Sequence, residues 1–370
     1  MKILIAPNSF KECSDSVRIS ELIYENLSSR LNFSFILKPV SDGGDGFLTV
    51  CKYYFNGREL VYKISSPDNY STLRCKVIFV EETKTAYVES AEVLGLKRVP
   101  SEIRKPLHLS SKGLGELLKK LAEENNVKKV LLGIGGTATM DMGFGACSVF
   151  GLKLLDENNR KLEPIPANFG VVRNIQWKEL KMPFQLKCIL DVKNPLTGKN
   201  GAVNVFGKQK GADATSVSII ENGFSNILNL LKNKELTDSS KLLSGAGGGI
   251  PAGLEIFLNS SNINAEEFIL NHLGLGKKIS DSDVIITGEG AFDEQSLMGK
   301  GAGIILNRAN EEKKKVILVC GKIDEKVKLK LGKNISFIEL SSFFKNHKDS
   351  IENIETGIRK ACDEIIRLIK

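Results

Sequence analysis

The segment that most restricts the fold runs from residue 130 to 146 and reads VLLGIGGTATMDMGFGA. Val130, Leu131 and Leu132 form a short apolar run, which breaks at once into Gly133, Gly135 and Gly136 and then into Thr137, Thr139 and Asp141. Such a run suits a strand covered on both faces by helices, and strands of this kind carry ligands just beyond their carboxyl ends. Glycines there let backbone N–H groups approach an anion closely, so the segment is expected to hold a phosphate or a carboxylate. Two other readings compete. Gly133, Gly135 and Ala138 fit the dinucleotide fingerprint G-x-G-x-x-A, with Asp156 at about the spacing of a ribose-binding acid. Against it, the segment that would be the phosphate-capping helix carries Gly143 and Gly145, each costing roughly 1 kcal/mol in a helix interior relative to Ala. A tight turn without ligand explains one glycine but poorly explains three followed by Thr, Thr and Asp.

At 370 residues the chain exceeds what one hydrophobic core usually supports, which predicts two interleaved domains. The net charge of +8 raises the question of nucleic acid. The excess lies in scattered lysines such as Lys313, Lys314 and Lys315, or Lys326, Lys328 and Lys330, with no interleaved aromatics, and reads as solvated surface rather than a nucleic-acid stripe. The seven cysteines, Cys13, Cys51, Cys75, Cys147, Cys188, Cys320 and Cys362, stand singly, as reduced core residues of a cytoplasmic chain would. No signal peptide is expected at the amino terminus, and no apolar stretch approaches the roughly 20 residues of a membrane span. His108, His272 and His347 lack metal-ligand spacing, so no zinc site is expected.

Residues 2–6 read as a strand ended by Pro7, Asn8 and Ser9, then a helix from an N-cap at Ser14 or Ser16 with Ile19, Leu22, Ile23 and Leu27 on one face. Residues 35–40 repeat the pattern, with the loop SDGGDG at 41–46 and a helix aligning Phe47, Val50, Cys51 and Tyr54. Residues 59–65, 74–80 and 85–90 read as an antiparallel meander. Leu114, Leu117, Leu118 and Leu121 mark a helix before the central strand. Between 147 and 278 the pattern weakens, with strands at 152–156, 186–192 and 202–206, a helix at 219–231 and a glycine cluster at 245–253. Strand and helix then alternate again: strands at 283–287, 316–320 and 336–340, a helix with Ala302, Ile305, Leu306 and Ala309, and a last helix bearing Ile351, Ile354, Ile358, Ile365 and Ile369. The predicted fold is α/β: a doubly wound, mostly parallel, Rossmann-like sheet of about six strands, with a second, inserted α/β domain rich in antiparallel strands. Residues 1–62, 107–146 and 279–370 are assigned to the first domain and 63–106 and 147–278 to the second, with the active-site cleft expected between them.

Four loops follow parallel strands: Asn8, Ser9, Phe10 and Lys11; 42–45; 137–141; and 288–293. Because such loops share one sheet edge, they are expected to converge, facing Asp191, Asn194 and Pro195 and then Gln209, Lys210 and Gly211 from the insert. Lysines and backbone N–H groups that hold phosphates, carboxylates that hold Mg²⁺, and one carboxylate that accepts a proton are what phosphoryl transfer requires. The P-loop is absent, because residues 201–208 place one residue too many between the glycines and Gln209 where a hydroxyl belongs. Plainer roles compete for each nominee. Asp42 suits a helix cap, Asp191 a turn and Lys11 a solvated surface, while Asp293 and Lys300 flank a loop leading into a helix.

In order along the chain, APNSFKE (6–12), SDGGDG (41–46), GIGGTATMDMGFG (133–145), LDVKNPLTG (190–198), VFGKQKGA (205–212), GAGGG (245–249) and ITGEGAFDEQSLMGK (286–300) resemble the bacterial type I glycerate kinases, essentially end to end. The resemblance implies a two-domain α/β enzyme that uses ATP and Mg²⁺ to phosphorylate D-glycerate, typically to 2-phosphoglycerate, with 3-phosphoglycerate as the other product. Carried over by position, it supports Ser9, Lys11, Asp42, Asp191 and Asp293 as site residues; with the loop nominees, Asp191, Lys11 and Asp42 are expected to be catalytic, Asp191 accepting the hydroxyl proton, and Ser9, Asn194, Asp293 and Lys300 substrate-binding. Gly135, Gly136, Thr137, Asp141, Gln209, Lys210, Gly247, Gly248 and Gly249 become nucleotide- or phosphate-binding, and Asp42 and Asp293 the Mg²⁺ ligands. The expected partner is small-molecule glycerate, with a homodimer the one assembly considered and neither nucleic acid nor membrane involved. Asn8, Glu12, Met140, Met142 and Ala291 depart from the family pattern, where Asp, Gly, Asn, Gly and Arg are usual. Retention of Lys11, Asp42, Asp141, Asp191 and Asp293 argues for an active kinase. A non-catalytic binding relative and a nicotinamide-dependent dehydrogenase are the alternatives.

Overall fold

The structure, a computed structural model, describes residues 1–370 apart from Glu12, Asn125, Ser239, Ser240, Lys241 and the side chain of His347; the departure at Glu12 thus lies outside the described residues. The chain divides into two compact units, Met1–Tyr54 with Asn264–Lys370, and Phe55–Ile263.

The first unit is built on a five-stranded parallel sheet in the order Ile335–Glu339, Lys315–Ile323, Val284–Phe292, Lys2–Ile5, Ser34–Leu37. Its strands are continuous apolar runs because both faces are covered. On one face Ile3, Ile5, Ile286 and Val319 pack with Ile19 and Ile23 of the helix Ser16–Ser28 and with Ile358 and Ile365 of Ile354–Ile369. On the other, Leu4, Ile285 and Leu318 are equally inaccessible. Each such side chain contributes roughly 1.5–3 kcal/mol by leaving water. The first helix is capped by Asp15, which accepts from Arg18 N at 2.9 Å, rather than by Ser14 or Ser16; a carboxylate also complements the positive helix end.

The second unit holds a six-stranded mixed sheet in the order Ser261–Asn264, Gln185–Leu190, Lys129–Ile134, Thr85–Glu89, Thr72–Val80, Arg58–Ser65, and a small antiparallel sheet in which Lys153–Leu155 lies between Lys161–Leu162 and Asn174–Gln176. Lys129–Ile134 runs parallel to both Gln185–Leu190 and Thr85–Glu89, and the meander pairs antiparallel. This corrects the expected strand count and boundaries. The glycine-loop strand belongs here, the parallel sheet of the first unit has five strands rather than about six, and residues 107–146 fall in the second unit. The reason lies in the preceding helix, Lys112–Glu123, whose Glu116 accepts from Ser65 N at 2.7 Å and from Ser65 Oγ at 2.8 Å, tying it to the Arg58–Ser65 strand. A second correction concerns 202–206, expected as a strand: Ala202–Phe206 is a short helix, because Ala202 and Val203 are drawn into the core while Asn204 and Val205 stay exposed. Among the described residues no helix is long and apolar enough to cross a membrane.

Gly115 shows how tightly the second unit is assembled, since a Cβ there would lie 2.3 Å from the carbonyl oxygen of Ala146. Alanine at a helix interior normally gains about 1 kcal/mol over glycine, but overpacking against backbone costs about 1–3 kcal/mol. Gly115→Ala should therefore lower the urea midpoint. Gly170→Ala, where nothing lies within 4 Å, should leave it unchanged or raise it slightly, and equal effects of the two would refute this packing account.

Candidate active site

In the first unit the chain leaves Lys2–Ile5 first to one side, to Ser34–Leu37, and later to the other, to Val284–Phe292. Loops beyond the carboxyl ends of strands at such a reversal are free to meet. Asn8 N donates to Gly288 O at 2.8 Å and Val40 N to Pro7 O at 3.0 Å, fixing the three strand ends together. Asn8 is buried, and its Nδ2 reaches Asp42 Oδ2 at 3.4 Å and Glu289 Oε2 at 3.5 Å, while its Oδ1 accepts from Ser9 N at 2.9 Å. Asp42 also accepts from Gly44 N at 3.2 Å, a local turn ahead of the helix Phe47–Phe55. Glu289 is 8% exposed and its Oε1 has no hydrogen-bond partner. Burial, reinforced by the charge of Asp42, pushes its carboxyl up to about 7 against the opposing pull of Ser296, Asn8 and Lys11. Lys11 is exposed and close enough for its charge to be felt at Glu289, and Ser9 is half-buried beside Asn8.

Two nominees in this unit have local duties. Asp293 is exposed and caps the helix Glu294–Leu297, its Oδ1 accepting from Gln295 N at 2.8 Å and Ser296 N at 3.1 Å within a capping box. Lys300 Nζ donates to Gln295 Oε1 at 2.8 Å. Asp293 thus serves a helix end, and the carboxylate that shares the Asn8 amide with Asp42 is Glu289. Among the described residues no group of three His, Cys, Asp or Glu side chains is arranged to hold a metal. Sequence reasoning passed over Glu289, although its signal is present: an acid between two glycines in a strand that is otherwise apolar, VIITGEGAF.

In the second unit the ends of the three parallel strands deliver Ser90, the 135–141 loop and Asp191. Gly135 is not open to an anion, because its N–H donates to Ser90 Oγ at 3.0 Å and its carbonyl accepts from the same hydroxyl at 2.9 Å. Gly136, with φ 63°, is the exposed tip. Behind it, Thr137 Oγ1 donates to Gly247 O at 3.0 Å and accepts from Lys210 Nζ at 3.0 Å; the same ammonium donates to Thr139 O at 2.9 Å. Lys210 is 6% exposed, and burial lowers its ammonium to about 7, with Asp141 and Asp191 pulling the other way. Asp191 is half-buried beyond its strand end.

The other nominees of this unit have surroundings of their own. Asp141 has no exposed surface and accepts from Ser111 N (2.6 Å), Ser111 Oγ (2.7 Å), Gly145 N (3.1 Å) and Gly143 N (3.2 Å); it shapes the loop and is not placed to touch a phosphate. Burial raises its pKa, and these four donors resist the shift. The N–H groups of Gly248 and Gly249 donate to Gly245 O, and a Cβ on Gly248 would lie 2.1 Å from Thr139 O. The triple glycine, left-handed at Gly247, Gly248 and Gly249, is thus a surface on which the 137–143 loop packs backbone to backbone. Gln209 is exposed with no hydrogen bond to the cluster, and Asn194 Nδ2 donates to Asn200 O at 2.9 Å, closing its own turn. Asp156, the acid a dinucleotide would need, accepts from Asn158 N and Arg160 N in a hairpin of the small sheet, which removes the dehydrogenase alternative's ribose contact.

The glycerate kinase family profile matches residues 3–370. Glycerate 2-kinase of Escherichia coli K12 is 32% identical, covering 99% of this chain and 96% of that protein. Glycerate kinase of Neisseria meningitidis serogroup B is 29% identical over 100% and 99%. A crystal structure described as a glycerate kinase 2 from Salmonella typhimurium LT2 superposes with a TM-score of 0.80 at 26% identity, covering 100% of this chain and 98% of that one. The chain belongs to the glycerate kinase family.

Proposed function

We propose that this protein transfers the γ-phosphoryl group of ATP to a hydroxyl of D-glycerate, giving 2-phosphoglycerate, in the cytoplasm. The observation that carries this reading, given the family, is Lys210: a buried ammonium hydrogen-bonded to Thr137 and Thr139 behind the exposed backbone of Gly136. Burying a cation costs stability unless something needs its charge, and a polyphosphate does. Lys210, Thr137 and the N–H of Gly136 are assigned to phosphate oxygens, and Asp191 to sustaining the charge on Lys210. Asp141 positions the loop. In the first unit, Ser9, Lys11 and Asp42 are assigned to the hydroxy acid, whose carboxylate suits the lysine. Mg²⁺ enters as part of the co-substrate MgATP, held by phosphate oxygens and water, the coordination this ion favours.

Release of ADP, followed by a coupled assay across small hydroxy acids with product identification by ³¹P NMR, tests the assignment. D-glycerate should give the fastest turnover and the 2-phosphate; no ADP release with any hydroxy acid would end the kinase reading.

Lys210 makes a second prediction with a defined sign. Its ammonium is charged below about pH 7 and loses its proton above it, so the binding affinity for MgATP should decline as pH rises through that value, by at most about tenfold per unit. Lys210→Met should lower that affinity by about 10–100-fold, the worth of one charged hydrogen bond, and flatten the decline. An unchanged pH profile in the variant would assign the titration to another group.

A further inference from the structure

We propose that Glu289 is the catalytic residue that accepts the proton of the hydroxyl being phosphorylated, the role that the sequence alone suggests for Asp191. The inference rests on the kinase reading above. Glu289 projects from Val284–Phe292, the strand next to Lys2–Ile5, and is 8% exposed. Its two oxygens differ. Oε2 has the Asn8 amide at 3.5 Å and the Ser296 hydroxyl also favours the carboxylate, while Oε1 has no hydrogen-bond partner. A buried acceptor left unmatched costs about 1–3 kcal/mol, a cost that a donor on a bound ligand would remove.

The groups facing Glu289 indicate which donor that is. Asp42 brings negative charge, Asn8 and Ser296 bring neutral dipoles, and Lys11 brings positive charge. An anionic group is unwelcome at Oε1 with Asp42 nearby, and a divalent cation is opposed by Lys11. A hydroxyl is the donor that fits, and a small hydroxy acid carries one together with a carboxylate for Lys11. Burial also brings the carboxyl to about 7, where a base is effective at neutral pH. Asp191, by contrast, belongs to the second unit and lies close enough to Lys210 for its charge to be felt at that ammonium.

The step balances as follows. The hydroxyl proton passes to Glu289 Oε1 as the hydroxyl oxygen bonds to the γ-phosphorus. The bond from that phosphorus to the β,γ-bridging oxygen breaks, its electron pair leaves with ADP, and Glu289 then returns the proton to solvent.

The test compares the full-length protein with Glu289→Gln, Glu289→Asp and Asp191→Asn, using D-glycerate and MgATP, with circular dichroism reporting folding. Glu289→Gln should lower kcat by about 10²–10⁴-fold with KM for MgATP within threefold of the parent. Glu289→Asp, which keeps the carboxylate but withdraws it, should lose at least tenfold in kcat and serves if the glutamine variant fails to fold. Asp191→Asn should lose less in kcat than Glu289→Gln. A Glu289→Gln enzyme with kcat within threefold of the parent, a defect confined to KM, or a defect repaired by raising Mg²⁺ would each overturn the assignment, the last by making Glu289 a cation ligand. Parent turnover combined with any of these overturns this assignment alone, whereas absence of parent turnover overturns the kinase reading and this assignment with it.

Discussion

Parallel pairing is the constraint on which the rest depends. In a parallel ladder all strands finish at the same edge, so residues far apart in sequence are delivered together without any contact between their side chains being needed first. In the first unit this brings Asn8, Asp42 and Glu289 within reach of one amide group. In the second it brings Ser90, the 135–141 loop and Asp191 to the ends of three adjacent strands. The antiparallel strands Thr72–Val80 and Arg58–Ser65 extend the same sheet without contributing a site residue, as expected of strands whose ends alternate in direction.

Burial then sorts the polar residues by how well they are matched. Asp141 is the best matched: four donors surround it and the loop closes on it. Lys210 has two acceptors for three N–H donors, and Thr139 Oγ1 beside it has no partner. Glu289 leaves one oxygen unmatched. A saturated buried group contributes to the scaffold, because removing one partner would cost about 1–3 kcal/mol. An unsaturated one is a standing cost that binding can relieve, so Lys210 and Glu289 are better candidates for chemistry than Asp141 although all three are ionisable and buried.

Much of this was legible in the sequence. The βα alternation, the insertion, and the loops carrying Asn8, Asp42, Thr137, Asp191 and Lys210 follow from apolar runs ending in glycine and polar residues, and the ordered motifs identify the family. Three things were not. The run VLLGI would serve equally well in either sheet, and its partners are chosen by the helix Lys112–Glu123, a tertiary contact that no local pattern encodes. The triple glycine at 247–249 has the composition of an anion loop, yet the N–H groups of Gly248 and Gly249 bond internally, and at Gly248 the need for glycine comes from the backbone of Thr139 pressed against it. Asp293 precedes Glu-Gln-Ser, which is the spacing of a helix cap as much as of a ligand, and the cap prevails because it satisfies two backbone N–H groups at short range.

The departures from the family pattern can be ranked on the same basis. Met140 and Met142 have no exposed surface, and Met142 is held at φ 55°, where a side chain costs about 1–2 kcal/mol that glycine would not incur. They change the packing of the loop against Gly248, to which Met142 N donates through the carbonyl at 3.2 Å, and not its outer surface. Ala291 is exposed on its strand. Among the described departures, only Asn8 stands among the carboxylates. An aspartate there would set a third acid beside Asp42 and Glu289, and three carboxylates that close repel one another unless protons or cations intervene. The amide supplies a donor to both acids, so this chain holds its two carboxylates together with a neutral group and leaves the proton affinity of Glu289 to be set by burial, Asp42 and Lys11.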